Sequence, residues 1–429
     1  MDNRALEDLD RAILTHAEAA FDFLERLVAE ASIVGHEQYA MTIFAAEAES
    51  VGLVTQRLPF SDLPDAHPMA GVAQAVPQTL SDRFQVLATT PGIGPLTLLL
   101  NGHMDVVPAS AFRHWATPPF VPSRRDGRLF GRGAADMKSG FAVGMLALRA
   151  LRDVAPRLFD TRRLGFVAVV EEECTGNGTL RSMRDHAAVA PEVIILEPTD
   201  LGLLIGGVGV MWVDLEILSG SGHAQSAEGQ VNAVELGMRV VAGLKRWLSG
   251  VAADWPEPMI ASNHNPYALN LGKVQAGDWT SSVASLADFS LRIGFPRGWT
   301  AETAEAEVRQ AIADIAAADP DFRGQPDITL SGFRAEGYLL DQTSPLLRDL
   351  AAVHRQVHDV DPVIFAVGAT TDARTYVNGF GIPAVCFGAT GYDLHGLDES
   401  VDLQSIVDAA RTLARFILLR FDGGAHDRP

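Results

Sequence analysis

Residues 96–105 read LTLLLNGHMD, a short apolar run that ends in Asn-Gly and then delivers His103 and Asp105. An uninterrupted apolar run of this length, closed by glycine, is typical of a strand buried on both faces of a parallel sheet. Three more apolar runs have the same character: LGFVAVV at 164–170, VIIL at 193–196 and AVCF at 384–387. We therefore predict a mainly parallel sheet.

Helical patterns lie around and between these strands. Apolar residues recur at steps of three and four over 6–27, and residues 137–151, 344–357 and 403–419 are also predicted helices. Strands that alternate with helices indicate an α/β fold whose sheet is covered by helices on both faces. The Pro- and Gly-rich residues 58–95 are predicted to form loops with a strand or two.

A middle segment has a different pattern. Residues 208–218 and 286–295 alternate apolar and polar side chains, which indicates antiparallel strands with one solvated face. A helical pattern lies between them at 232–248, and a short strand is predicted near residue 328. We therefore predict a smaller α+β domain inserted into a larger α/β domain. The predicted boundaries are 1–206 and 336–429 for the two parts of the larger domain and 207–335 for the insertion.

Composition excludes several partners. The formal net charge of −20 repels phosphate backbones and anionic lipids, so we expect no nucleic acid and no membrane partner. No apolar run approaches the ~20 residues of a membrane-spanning helix, and the acidic N-terminus has no signal-peptide pattern. Cys174 and Cys386 are expected to be free thiols in a reducing compartment. The predicted location is the cytoplasm.

The chemistry-bearing residues follow the predicted strands. His103 ends the first, glutamates 171–173 follow the second, Glu197 follows the third, and His395 follows the fourth after a Gly-rich turn. Asp136 lies at the start of a predicted helix. Ligands bind beyond the carboxyl ends of the strands in an open α/β sheet. Two imidazoles and three carboxylates suit a pair of divalent ions, zinc most readily, with one carboxylate bridging them.

Two neighbouring positions have predicted roles as well. Asp105 could hold the second ring nitrogen of His103. Adjacent side chains on a strand point to opposite faces, so the three glutamates at 171–173 cannot all be ligands from one regular strand. We predict one ligand beside a free carboxylate displaced by a turn. That free carboxylate would take a proton from metal-bound water and pass it to a leaving nitrogen.

Five ordered motifs resemble those of the acetylornithine deacetylase / succinyl-diaminopimelate desuccinylase family of two-metal metallopeptidases, which includes aminoacylases and glutamate carboxypeptidases. They are NGHMDVVP (101–108), GRGAADMKSG (131–140), VEEECTGNG (170–178), LEPTD (196–200) and GATTDARTYVNGFGIPAVCFGATGYDLHG (368–396). The resemblance covers nearly the whole chain. It implies a zinc-peptidase-like catalytic domain and an inserted lid domain that forms a dimer and closes over the site.

The resemblance also implies roles for individual residues. The implied metal ligands are His103 and Glu197 for one ion, Glu173 and His395 for the other, and Asp136 as the bridge. Asp105 would orient His103, and Glu172 would be the general acid/base. Glu171 occupies a position that is commonly Asp in the family.

Substrate recognition is where the sequence departs from the family. The lid usually carries an Asn followed by Val-Pro or Val-x-Pro, but residues 279–284 read WTSSVA, and the common Arg-Pro-Asn before the first motif is replaced at 82–85 by DRFQ. His223 resembles the family's lid histidine, which reaches a neighbouring subunit's active site and steadies the oxyanion. Arg292 resembles the lid arginine that grips a substrate carboxylate, and Arg374 is a second candidate, because a guanidinium binds a carboxylate with two parallel hydrogen bonds.

The leading hypothesis is hydrolysis of a C–N bond, namely deacylation of an N-acyl amino acid by metal-bound hydroxide with Glu172 as acid/base. The alternative is hydrolytic deamination of an aromatic amine, as in a branch that resembles nitroanthranilate aminohydrolase. A third hypothesis, a metal-dependent binding or scaffold protein, predicts lost ligands, but all of them are present. The expected cofactors are two divalent ions, zinc first, with manganese or cobalt as alternatives. The expected partners are a small carboxylate-bearing substrate and a second copy of the chain, or more copies, bound through the lid.

Overall fold

The computed structural model describes residues 3–60, 67–73, 83–186, 188–260 and 265–421. The helices are α1 Asn3–Ala29, α2 Gln38–Ser50, α3 Lys138–Val154, α4 Pro156–Thr161, α5 Asn177–Arg184, α6 Ala233–Asp254, α7 Ala301–Ala317, α8 Pro345–His358 and α9 Leu403–Phe421. The helices predicted at 6–27, 137–151, 344–357 and 403–419 correspond to α1, α3, α8 and α9.

The described strands form three sheets. In chain order they are β1 Val54–Pro59, β2 Phe84–Thr89, β3 Leu98–His103, β4 Ser123–Arg125, β5 Arg128–Phe130, β6 Leu164–Val169, β7 Val193–Ile195, β8 Leu203–Gly207, β9 Gly209–Leu218, β10 Leu269–Ala276, β11 Leu286–Phe295, β12 Asp327–Ala335, β13 Tyr338–Leu339, β14 Ile364–Val367, β15 Ala384–Cys386, β16 Gly391–Tyr392 and β17 Ser400–Asp402. Within the region 58–95, part of the predicted loops lies outside the described residues.

The largest sheet has the strand order β1-β2-β6-β3-β7-β15-β8-β13, and β14 also pairs with β8. Its four central strands are parallel and are the four predicted from apolar runs. Antiparallel pairs flank this centre, β1 with β2 and β2 with β6 on one side, and β8 with β15 and β13 on the other. The α/β class is confirmed. The sheet as a whole is mixed, because the pairs that flank its parallel centre are antiparallel. Only the central strands have the continuous apolar runs from which a parallel direction is predicted.

Helix α3 begins just after Asp136 and lies close against the central strands. A Cβ atom at Gly140 would lie 2.1 Å from the carbonyl oxygen of Leu196, and one at Gly144 would lie 2.4 Å from the ring of Phe166. Only glycine permits this approach at both positions. The first turn of α3 is therefore held at the carboxyl edge of the sheet.

The second sheet is antiparallel, with the order β10-β11-β9-β12. Its predicted strands at 208–218 and 286–295 are β9 and β11, and helices α6 and α7 pack on its apolar face. That face has its own hydrophobic core, which includes Val213, Leu215 and Leu291 and is separate from the core around the large sheet. We call this unit the lid. The boundaries at 207 and 335 stay a prediction.

The third sheet is small and has the order β16-β17-β5-β4. Its central pair places Ser400 opposite Phe130, so that two segments far apart in sequence lie side by side. Both cysteines are free and buried. Among the described helices, none has the length and apolar character that crossing a membrane requires.

Candidate metal centre and substrate cleft

Two imidazoles meet at the carboxyl edge of the large sheet, with one carboxylate between them. Asp136 Oδ1 lies 3.2 Å from Nε2 of His103, which ends β3, and Asp136 Oδ2 lies 3.3 Å from Nε2 of His395. Each oxygen of one carboxylate thus faces a different ring. This is the arrangement that a bridging ligand between two cations requires.

Each ring has further carboxylate neighbours. Glu197 Oε1 lies 3.8 Å from His103 Nε2, and both oxygens of Glu173 lie 3.1 Å from His395 Nε2. Glu172 Oε2 is also 3.8 Å from His103 Nε2. The potential ligand atoms of His103, Asp136 and Glu173 lie within 4.8 Å of one another, as do those of His103, Glu172 and Glu197. The predicted ligands are therefore brought together from five separate segments of the chain.

The electrostatics of this cluster fit divalent cations. Burial, reinforced by neighbouring carboxylates, raises the pKa of Glu197 to about 8 and raises that of Glu173 as well. Buried like charges are unfavourable unless cations compensate them. A set of imidazole nitrogens and carboxylate oxygens is one that zinc and manganese accept.

The chain leaves strand geometry directly after β6. Glu171 has a φ of +63°, in the left-handed region, and starts a turn in which its carbonyl oxygen accepts the N–H groups of Thr175 (3.1 Å) and Gly176 (2.7 Å). The side chain of Glu171 accepts hydrogen bonds from Arg83 (2.5 Å) and Thr175 (2.8 Å). The turn brings both Glu172 and Glu173 to the metal centre. In a regular strand these adjacent side chains would point to opposite faces of the sheet.

Asp105 makes contacts that differ from its predicted ones. The Nδ1 of His103 bonds to the main-chain carbonyl of Asp105 at 2.8 Å, while the nearer carboxylate oxygen is 3.9 Å away. The Asp105 carboxylate accepts the N–H groups of Glu172 (3.3 Å) and Glu173 (3.0 Å) instead. The residue therefore orients His103 through its main chain and fixes the glutamate turn through its side chain.

Glu172 is a buried carboxylate whose pKa is strongly raised. Burial raises its pKa well above the ordinary value, His103 opposes this rise, and the negative charges of Glu197 and Asp372 increase it. A carboxyl group of raised pKa holds a proton more readily than a solvated one, which suits an acid/base that receives and returns a proton.

A cavity of about 860 Å³ lies between the metal centre and the lid. Glu172, Glu173 and His395 line one side, and Arg292 lines the lid side. Arg292 donates to the carbonyl oxygens of Gly368 (2.8 Å) and Ala268 (3.3 Å). Within the described ranges it has no acidic partner.

Arg374 lies elsewhere. It is 2% exposed and donates to the carbonyl oxygen of Thr175 at 2.9 Å, behind the glutamate turn. It lines a separate cavity of about 370 Å³ with Arg334 and Asn378. The two predicted carboxylate binders therefore differ in position, and of these two only Arg292 lines the cavity that contains the glutamates.

His223 lies on the exposed surface of the lid. Its Nδ1 accepts the N–H of Gln225 at 3.1 Å, and it forms an isolated β-bridge with Ser282, within the segment where the family's Asn and Pro are missing. His223 is not among the residues that line the cavity. The structure of one chain thus leaves its side chain outside its own metal centre.

Lys273, which was not predicted from the sequence, lines the cavity from β10. The register of β10 against β11 shifts between Leu271 and Lys273, so that Lys273 pairs with Ser290, another cavity-lining residue. A bulge of this kind redirects the following side chain to the other face. Gly272 inside an otherwise strand-like segment was the available signal.

Residues 99–419 match the sequence pattern of peptidase family M20/M25/M40. The chain belongs to this family. Its M20 membership confirms the resemblance found in the motifs and makes the protein a metal-dependent hydrolase of C–N bonds. A succinyl-diaminopimelate desuccinylase of Paracoccus denitrificans (strain Pd 1222) is 29% identical over 335 residues, which are 76% of this chain and 83% of that enzyme.

Solved structures share the M20 fold. The di-peptidase Dug1p from Saccharomyces cerevisiae superimposes with a TM-score of 0.75 at 14% identity, over 96% of this chain and 98% of that one. The Bacillus subtilis YXEP protein, a dinuclear metal binding peptidase from the M20 family, gives a TM-score of 0.58 at 12% identity, over 95% and 99%. At these identities the likeness establishes the fold alone.

Proposed function

We propose that the protein removes the acyl group from an N-acyl amino acid, with Arg292 binding the substrate carboxylate and Glu172 moving the proton. The observation that carries the proposal is the single cavity that joins the metal centre to a half-buried arginine, Arg292, which has no acidic partner in the described chain. The desuccinylase name of the relative supports deacylation, and supports it over deamination of an aromatic amine.

The residues of the cavity divide the work of binding. Trp212 and Phe333, whose rings contact each other edge to face with centroids 5.6 Å apart, form an apolar wall suited to the carbon skeleton of a substrate. Arg292 retains N–H donors beyond the two that serve Gly368 and Ala268, because a guanidinium has five. These donors would fix the carboxylate end and so direct the amide toward the glutamates.

The metal ligands proposed are His103 and Glu197 for one ion, Glu173 and His395 for the other, and Asp136 as the bridge. Two divalent ions would polarise the acyl carbonyl and lower the pKa of a water molecule. Glu172 would accept a proton from that water molecule while the oxygen of the water bonds to the acyl carbon. As the C–N bond breaks, Glu172 would return the proton to the amine nitrogen, and a carboxylate and a free amino acid would leave. Zinc is the first candidate, with manganese or cobalt accepted by the same donors.

The position of His223 supports a second subunit. The lid histidine is exposed and does not line the cavity of its own chain, so we propose a homodimer, or a larger homo-oligomer, formed through the lid, in which His223 of one chain steadies the oxyanion in the other.

The test is a substrate panel. The metal-loaded protein would be incubated with N-acyl amino acids and carboxylated aromatic amines while free amino acid and ammonia are followed together. Release of amino acid that EDTA abolishes supports the proposal. Release of ammonia from an aromatic amine without deacylation would contradict it in favour of hydrolytic deamination.

A further inference from the structure

One buried carboxylate holds the loop that carries Asp136. Glu399 is 0% exposed, and its Oε1 accepts the N–H groups of Ala135 (3.1 Å) and Asp136 (3.0 Å). Its Oε2 accepts the N–H of Gly133 (3.1 Å) and a hydrogen bond from Nη1 of Arg132 (2.6 Å). All four partners are donors, so the site requires a group that only accepts.

Arg132, the ion-pair partner of Glu399, holds the loop that carries His395. Arg132 is 3% exposed, and its Nη2 donates to the carbonyl oxygens of His395 (3.2 Å) and Gly396 (3.0 Å). His395 has a φ of +60°, a region that is unfavourable for a residue with a Cβ and persists only when surrounding contacts fix it. The ion pair between Arg132 and Glu399 therefore connects both loops.

The small third sheet explains why these loops meet. β5 ends at Phe130 and β17 begins at Ser400, and the two residues are paired partners. The main-chain N–H of Gly131 donates to the carbonyl oxygen of Glu399 at 2.9 Å. The segment that leads to Asp136 and the segment that follows His395 are thus aligned by main-chain hydrogen bonds alone.

We propose that Glu399 and Arg132 are positioning residues that set the affinity for divalent ions by fixing Asp136 and His395. The inference rests on the proposed two-ion centre and not on the identity of the substrate. Loss of a partner that orients a metal ligand typically weakens metal binding ~10- to 100-fold. Glu399→Gln keeps the length of the side chain but replaces one acceptor oxygen by an NH₂ group that faces donors. It should therefore release the Asp136 loop.

The experiment titrates metal-free protein with Zn²⁺ against a chromophoric chelator and requires no substrate. For Glu399→Gln we expect both ions to bind ~10- to 100-fold more weakly, because Asp136 is the proposed bridge. Arg132→Lys keeps the charge but not the forked geometry, and it should weaken only the ion that His395 holds.

The matched control is Glu192→Gln. Glu192 is 6% exposed and pairs with Arg420 through two bonds of 2.6 Å, but it lies before β7, at the opposite end from Glu197. Its variant should bind both ions with wild-type affinity.

Unchanged affinities in Glu399→Gln, or a weakening equal to that of Glu192→Gln, would overturn the inference. If Glu399→Gln does not fold, Arg132→Lys decides, and wild-type affinity for both ions overturns it. A wild-type protein that binds no ion would overturn the two-ion centre itself. If wild type and variants bind two ions with equal affinity, the centre stands and only the positioning role is overturned.

Discussion

The substitution Arg292→Met tests the proposed function most sharply, because it removes the group that is proposed to bind the substrate carboxylate. Methionine retains much of the apolar stem but removes every donor. Two of the five N–H groups of Arg292 already serve the carbonyls of Gly368 and Ala268, so at most three remain for a substrate. The loss concerns the two charge-assisted hydrogen bonds of a bidentate carboxylate.

The expected magnitude follows from those two bonds. A hydrogen bond to a charged group contributes about 1.5–3 kcal/mol, and part of this is offset by ordering the substrate. A net loss of about 2–4 kcal/mol corresponds to a ~30- to 700-fold decrease in kcat/KM. The decrease should be specific to substrates that carry the carboxylate.

The assay compares two substrates on each variant. Steady-state kinetics would be measured with an N-acyl amino acid and with the matching N-acyl amine that lacks the carboxylate. Arg292→Met should lower kcat/KM for the first substrate and leave the second within a few-fold. The control Arg239→Met removes an exposed lid arginine that pairs with Asp321, and should change neither. Equal losses for both substrates in Arg292→Met would refute the assignment.

Three further predictions concern other parts of the molecule. Asp105→Ala leaves one buried and one partly buried N–H group without an acceptor and should lower the free energy of unfolding of the metal-free protein by about 2–4 kcal/mol, measured with urea; an unchanged value would contradict this. His223→Ala should slow turnover with an intact fold, and mixing it with Glu172→Gln should restore activity if His223 acts across subunits, whereas no recovery argues against that. Burial lowers the pKa of His354 and His358, so the unfolded chain takes up protons first as the pH falls below about 6.5; stability should drop there less steeply in His358→Gln, and parallel curves would refute it.

The centre of the fold and the set of candidate ligands could be predicted from the sequence for one physical reason. Strands buried on both faces are continuously apolar, and their carboxyl ends meet at one edge. The apolar runs before His103 and Glu197 therefore gave both the strands and the place where their polar residues gather. The antiparallel flanks of the sheet, such as β1 and β8, had no comparable pattern assigned to them.

The interactions that position the ligands could not be predicted, because they join residues distant in sequence. The contact of Glu399 with the Asp136 loop depends on the small third sheet, whose strands are only two or three residues long. The bonds from the Asp105 carboxylate to the N–H groups of Glu172 and Glu173 depend on the turn that starts at the left-handed backbone of Glu171. Spacing along the chain identifies which residues meet but not which atom of each makes the bond.

The most direct test of the account concerns Glu172, which lies as close to His103 as Glu197 does, at 3.8 Å, and could by geometry alone be a ligand. Bound divalent ions would be counted by inductively coupled plasma mass spectrometry in wild type and Glu172→Gln. Amino acid release would be measured on the same samples. The account predicts two ions per chain in both proteins and a rate lower by ~10²–10⁴-fold in the variant. A near-normal rate, or loss of an ion together with activity, would contradict the role of Glu172 as the acid/base.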